Sequence, residues 1–217
     1  MTYPNAPWQL RGYCLQTLHW IDIEKARPFV PAEFELVSLW PGKTLGGVYL
    51  SAYRAGSVLE YSELIVVPGL VRYAEDIGGW ISHIYVDSAD SVAGGREIWG
   101  LPKEMAEFDW RDRTVTVSQA GQLLCSLTYR EDWFSFINNL PSQLTGTVFS
   151  RAAGQILKFE GDFGARSQLV SSQLTVAADS PFAALDLAQP WLTIYAQDLE
   201  LTAHAPLVVG EPLAVAI

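Results

Sequence analysis

Short apolar stretches rich in β-branched and aromatic residues recur along the chain, separated by Gly, Pro, Asp and Asn, and this spacing predicts strands more often than helices. Strands are expected over 11–18, 46–53, 63–67, 80–86, 147–151, 155–160, 168–177 and 191–202, with a hairpin over 114–118 and 123–129 around Gln119-Ala120-Gly121-Gln122. Helical signals are fewer. Residues 21–29 have Asp22 as a candidate cap and stop before Pro31, and Ser180-Pro181 sets a capping residue and a proline ahead of 182–187. A third helix starts at Asp87 or Ser88, runs through Val92, Arg96 and Trp99, and ends at Gly100 with Pro102 just beyond. Gly94 and Gly95 inside it each cost roughly 1 kcal/mol relative to Ala, which points to close packing there against another backbone or a ligand. The region 132–146 reads as the longest loop, either a lid or an ordinary surface connection. The fold class is therefore mainly β, in the α+β sense, with a few short helices.

Composition narrows the class. With 49% hydrophobic and 18% charged residues, the 217-residue chain can bury a core and is expected to form one domain over 1–217. Acidic residues outnumber basic ones by 24 to 14, a net charge of −10 that argues against a nucleic-acid partner. No apolar run reaches the length of a membrane-spanning helix, and the first residues lack the basic start and apolar stretch of a signal peptide. Cys14 and Cys125 sit in apolar surroundings, as free thiols in a reducing compartment do, so a cytoplasmic location without membrane contact is expected. A mean hydropathy of +0.14 fits buried subunit contacts.

The chemistry concentrates in Gly94-Gly95-Arg96-Glu97-Ile98-Trp99-Gly100-Leu101-Pro102-Lys103-Glu104-Met105-Ala106, which holds one of only four lysines. An amine attacks a carbonyl only when unprotonated, a state favoured by burial in an apolar pocket or by a neighbouring cation. Trp99, Leu101, Met105 and Phe108 give Lys103 apolar neighbours in sequence. The same residue types also suit a solvated lysine beyond a helix C-terminus, where the helix dipole favours the cation.

The segment from Gly95-Arg96-Glu97 to Pro102-Lys103 resembles the active-site segment of the acetoacetate decarboxylase family. In that family the lysine after the proline forms a Schiff base, and acetoacetate decarboxylase is a known example of a lysine activated by its surroundings. Tyr85-Val86-Asp87 precedes the motif at family-like spacing, Tyr61-Ser62-Glu63 resembles the segment bearing an active-site glutamate, and Arg11-Gly12-Tyr13 the segment bearing an active-site arginine. The similarity covers residues 9–108. It implies a cone-like or barrel-like sheet around a deep pocket, a homo-oligomer, and Schiff-base lyase chemistry on a small keto acid without a metal or other cofactor. Aldol or dehydration chemistry on a 2-oxo acid, or binding of a small molecule without turnover, are the alternatives. By resemblance Lys103 is the nucleophile and Glu63 an acid/base or an orienter of substrate. Arg11 would shape the pocket charge, and Trp99 would contribute to binding. Arg96 would fix the Lys103 segment or bind a carboxylate.

Two departures stand out. Family decarboxylases carry a second lysine after the nucleophile, where this chain has Glu104; an extended segment would turn Lys103 and Glu104 to opposite faces. A second family glutamate would fall near Val48, where none exists. His19, His83 and His204 show no metal-ligand spacing, His83 reading as a core or pocket-wall residue, and no Gly-x-Ser-x-Gly or Gly-rich nucleotide loop is present. The eight tryptophans read as core and interface material.

Overall fold

The computed structural model describes residues 3–131, 140–187 and 189–210. In chain order the elements are β1 (Trp8–Asp22), α1 (Ile23–Ala26), β2 (Glu35–Leu36), β3 (Lys43–Tyr53), β4 (Tyr61–Val67), β5 (Gly69–Tyr73), β6 (Asp76–Trp80), β7 (His83–Val86), α2 (Ala89–Trp99) and β8 (Lys103–Met105). They continue with β9 (Glu107–Arg111), β10 (Thr114–Gln119), β11 (Gln122–Arg130), β12 (Leu140–Ala152), β13 (Gln155–Leu169), β14 (Ser171–Val176), β15 (Leu192–Ala203) and β16 (Leu207–Gly210). The chain is mostly β with few short helices, as the apolar spacing predicts.

Among the described residues the strands form two sheets. The larger follows the order β2-β5-β6-β12-β13-β15-β1-β3-β4-β7-β8, with β16 added beside β13; the smaller follows β14-β11-β10-β9. The expected barrel does not close. The path ends at β2 and β8, strands of two and three residues, and the chain leaves β8 at Ala106 to enter the smaller sheet through β9. Most pairings are antiparallel, but β7 and β8 run parallel, with Ile84 opposite Lys103.

The central strands are covered on both faces, which is why β3 reads as a nearly continuous apolar run. Its Val48 and Leu50 join one apolar cluster that reaches Val115, Val117 and Leu127 of the smaller sheet. Its Tyr49 and Tyr53 face the other side, with Trp8, Tyr61, Ile84 and Trp99. The 120–121 turn of the predicted hairpin has positive φ at both Ala120 and Gly121, the geometry of a two-residue type I′ connection.

The third predicted helix is α2. Ser88 accepts a hydrogen bond from the Ser91 amide at its start, and Gly100 ends it in the left-handed region at φ 62°. The helix expected over 21–29 is mostly strand and turn: β1 continues to Asp22, and only the single turn of α1 precedes a 3-10 turn at Arg27–Phe29. Asp22 does not cap it, because its carboxylate is held by Lys43 at 2.7 Å. Residues 182–187 shrink likewise to a 3-10 turn at Ala183–Leu185. The expected strand 80–86 is interrupted at Ile81-Ser82, and part of the expected loop 132–146 is β12, whose partner β13 supplies thirteen paired positions from Leu140 to Ala152. The remainder of that loop, 132–139, lies outside the described residues.

Candidate active site

Helix α2 and strand β8 meet where two glycines remove the side chains that would separate them. A Cβ on Gly95 would lie 2.4 Å from Lys103 Cδ, and one on Gly94 would lie 2.6 Å from the Trp8 ring. The close approach predicted by the paired glycines is therefore made by side chains, the aliphatic stem of Lys103 and the indole of Trp8. Gly100 carries the chain out of the helix past the carbonyl of Arg151, which a Cβ would meet at 2.4 Å. Residues then alternate: Trp99, Leu101 and Lys103 turn inward, while Gly100 and Pro102 face an open outer groove.

Lys103 and Glu63 are buried, at 3% and 4% exposure. Lys103 Nζ donates to Glu63 Oε1 at 2.8 Å and to Ser91 Oγ at 2.9 Å. The second carboxylate oxygen of Glu63 accepts from the Tyr53 hydroxyl at 3.0 Å, and the Tyr49 hydroxyl lies 3.3 Å from that of Tyr53. The Tyr61 and Trp8 rings lie 5.0 and 5.6 Å from Nζ, within the range of a cation–π attraction. Burial raises the Tyr53 and Tyr61 hydroxyls well above the usual phenol value, and the nearby Glu63 charge raises them further, so both remain protonated and able to donate.

The pair opens onto a cavity of about 100 Å³ lined mainly by hydrocarbon, including Leu10, Ile65, Ile81, Ile84, Phe159 and Leu201. Trp99 lines it too, its indole N–H held by the His204 carbonyl at 2.7 Å and its ring set edge-on to Trp8. Lys103, Glu63 and Trp99 are thus brought together at one cavity. Arg11 is not: it lies at the surface beside Glu200, 3.2 Å away, with 61% of its side chain exposed. Alternation along β1 sends Leu10 inward and Arg11 outward. Arg96 also stays outside the cavity; its Nε donates to the Lys103 carbonyl at 2.8 Å and so holds the segment in place.

Glu104 points away from the amine, as an extended segment requires. Its carboxylate accepts from Gln119 at 2.9 Å. His83 lies outside the cavity, with Nδ1 2.9 Å from Ser82 Oγ, and burial lowers its pKa. Sequence reasoning missed Ser91, Tyr49 and Tyr53. Ser91 is one turn before Gly95 on the same helix face, and Tyr49 and Tyr53 share a face of β3 with Ser51, which pairs with Glu63. Those spacings were available, but their meaning depends on which strand lies alongside. Among the described residues, no group of three or more His, Cys, Asp or Glu side chains is gathered as a metal site would require. No helix there is long and apolar enough to cross a membrane.

The family profile described as acetoacetate decarboxylase (ADC) matches residues 1–133. The plant protein NEOXANTHIN-DEFICIENT 1 is 36% identical over 106 residues in Solanum lycopersicum and 34% in Arabidopsis thaliana, in each case 49% of this chain. The matched region spans 36% and 37% of those relatives' own lengths, about a third. Acetoacetate decarboxylase 3 of Mesorhizobium japonicum is 44% identical over 41 residues, 19% of this chain and 15% of its own. Among solved structures, acetoacetate decarboxylase from Legionella pneumophila has a TM-score of 0.73 at 19% identity, covering 99% of this chain and 91% of its own. The enduracididine biosynthesis enzyme MppR, complexed with the condensation product of pyruvate and imidazole 4-carboxaldehyde, has a TM-score of 0.65 at 15% identity, covering 97% and 91%. At these identities the structural likenesses establish the fold. The profile match extends over more than half of the chain, and the protein belongs to the acetoacetate decarboxylase family.

Proposed function

We propose that the protein is an imine-forming lyase acting on a small carbonyl compound, with Lys103 as nucleophile and Glu63 as the proton acceptor and donor beside it. The observation that carries this reading is the buried Lys103–Glu63 pair at 2.8 Å, opening onto an apolar cavity. In the first step Nζ passes a proton to Glu63, and its freed lone pair forms a bond to the carbonyl carbon. The carbonyl oxygen takes that proton and, with a further proton from the nitrogen, departs as water. The net change converts ammonium and carbonyl into a protonated imine plus water. The Trp8 and Tyr61 rings favour positive charge at this nitrogen in either form. Ser91 orients Nζ, and Arg96 holds the backbone of the same residue.

The iminium then draws electrons from the adjoining bond. In a β-keto acid, the bond to the carboxylate breaks, its electron pair enters the enamine, and carbon dioxide leaves. Protonation at carbon and hydrolysis return the amine. Membership of the acetoacetate decarboxylase family supports decarboxylation of a small keto acid as the first reaction to test. A second reading is aldol cleavage or dehydration through the same iminium. It is favoured by Glu104, which stands where family decarboxylases have a second lysine, and by the condensation product bound in the MppR relative.

Cyanoborohydride reduction in the presence of acetoacetate, pyruvate and other small carbonyl compounds, followed by peptide mass spectrometry, tests the assignment. A substrate-dependent adduct on Lys103 is expected, with none in Lys103→Arg because a guanidinium stays protonated. Undiminished turnover in Lys103→Arg would refute the nucleophile assignment. Ligand binding that survives Lys103→Ala, without any adduct in the unaltered protein, would support a binding protein instead.

A further inference from the structure

The charges inside the cavity restrict what can enter it. Lys103 and Glu63 neutralise one another. Among the described residues no other Lys, Arg or His lines the cavity, and positions 1–2, 132–139, 188 and 211–217 contain none of these residue types. Arg11, expected to shape the pocket charge, lies with Glu200 at the surface, and Arg96, the candidate for a substrate carboxylate, donates to the Lys103 carbonyl outside the cavity. A ligand carboxylate would have to share Lys103 with Glu63. It would also bring a net negative charge against a wall that is mostly hydrocarbon, with no second cation to balance it.

An uncharged carbonyl compound avoids both costs. When Lys103 joins it, one positive charge remains on Nζ opposite Glu63, water is released, and the site stays neutral as a whole. We infer that the natural ligand is an uncharged ketone or aldehyde with an alkyl or aryl body, and not a keto acid. This rests on the imine-forming reading of Lys103 and favours its aldol or dehydration branch, since a ligand without a carboxylate has no carbon dioxide to lose. The cavity, about 100 Å³ in volume, restricts the ligand body to a small one.

The test is a matched pair of methyl ketones with equal numbers of non-hydrogen atoms, 2-heptanone and levulinate, with acetoacetate as a third arm. Each is titrated against the unaltered protein at fixed cyanoborohydride, and the reduced adduct on the Lys103 peptide is quantified. The expected result is half-saturation by 2-heptanone at a concentration at least tenfold below that for levulinate or acetoacetate. Equal or tighter saturation by either acid overturns the inference and leaves the imine chemistry standing. No Lys103 adduct with any of the three overturns the imine-forming reading itself, and the inference with it. Because the adduct is located by peptide mass, neither result depends on a variant that folds poorly.

Discussion

Lys103 and Glu63 each give up their hydration on folding and recover part of it from one another and from Ser91 and Tyr53. Removing one partner strands a buried charge, at a typical cost of about 3–5 kcal/mol, whereas replacing both by apolar groups of similar volume is often neutral or stabilising. Lys103→Met or Glu63→Met alone should therefore lower unfolding stability by that amount, and the double variant should recover most of the loss in urea titrations. Additive losses would instead show that the two side chains contribute independently. His19 gives a second residue-scale expectation. It is buried beside Thr17, and burial lowers its pKa to about 4. The unfolded chain takes up the proton near the ordinary value of about 6.5, so the His19 contribution is fully present above that pH. It is lost as pH falls from there through the folded value, by roughly 3 kcal/mol in all. His19→Gln should flatten the fall in melting temperature across that window; an unchanged pH profile would show that His19 does not govern it.

At the scale of elements, the site depends on how closely α2 approaches β8. Local rules made α2 readable, since Ser88 and Gly100 act on their immediate neighbours, and the paired glycines signalled close packing without naming the partner. The Tyr49–Tyr53–Glu63 chain was not readable in the same way, because it exists only once β3 and β4 align Ser51 with Glu63. Arg11 failed for a related reason: the resemblance carried a residue type, but the pleat of β1 turns that side chain to the surface. Gly95→Ala isolates the element-scale effect. Ala favours an isolated helix over Gly by about 1 kcal/mol, but its Cβ would meet Lys103 Cδ at 2.4 Å while Nζ is fixed by Glu63 and Ser91. Reductive trapping on Lys103 should fall by about tenfold or more with far-ultraviolet circular dichroism unchanged, since each 1.4 kcal/mol of lost positioning corresponds to tenfold in rate. Trapping at the original rate would mean that the lysine stem can move aside without consequence.

For the molecule as a whole, the cavity joins two parts of the chain that differ in how much the sequence disclosed. Lys103, Glu63 and Trp99 belong to the region matched by the family profile, whereas the opposite wall comes from Val148 of β12, Phe159 and Phe163 of β13, and Leu201 of β15. Strand periodicity anticipated parts of those strands, but nothing in their sequence revealed that they face the lysine. That placement follows from β15 pairing with β1 and from β13 pairing with β15. Chemistry and ligand shape are consequently separable. Phe163 is only partly buried in the cavity wall, its ring 6.3 Å from that of Tyr49, and it carries no polar group that could bond to the Lys103–Glu63 pair. Phe163→Ala should keep Lys103 competent for trapping while shifting preference from 2-heptanone towards 2-decanone by at least about tenfold, since each newly buried methylene contributes roughly 0.8 kcal/mol. Comparing half-saturating concentrations for the two ketones reads this directly. An equal loss for both would mean that the far wall supports the reactive pair itself; an unchanged ratio would mean that the ligand body does not extend towards β13.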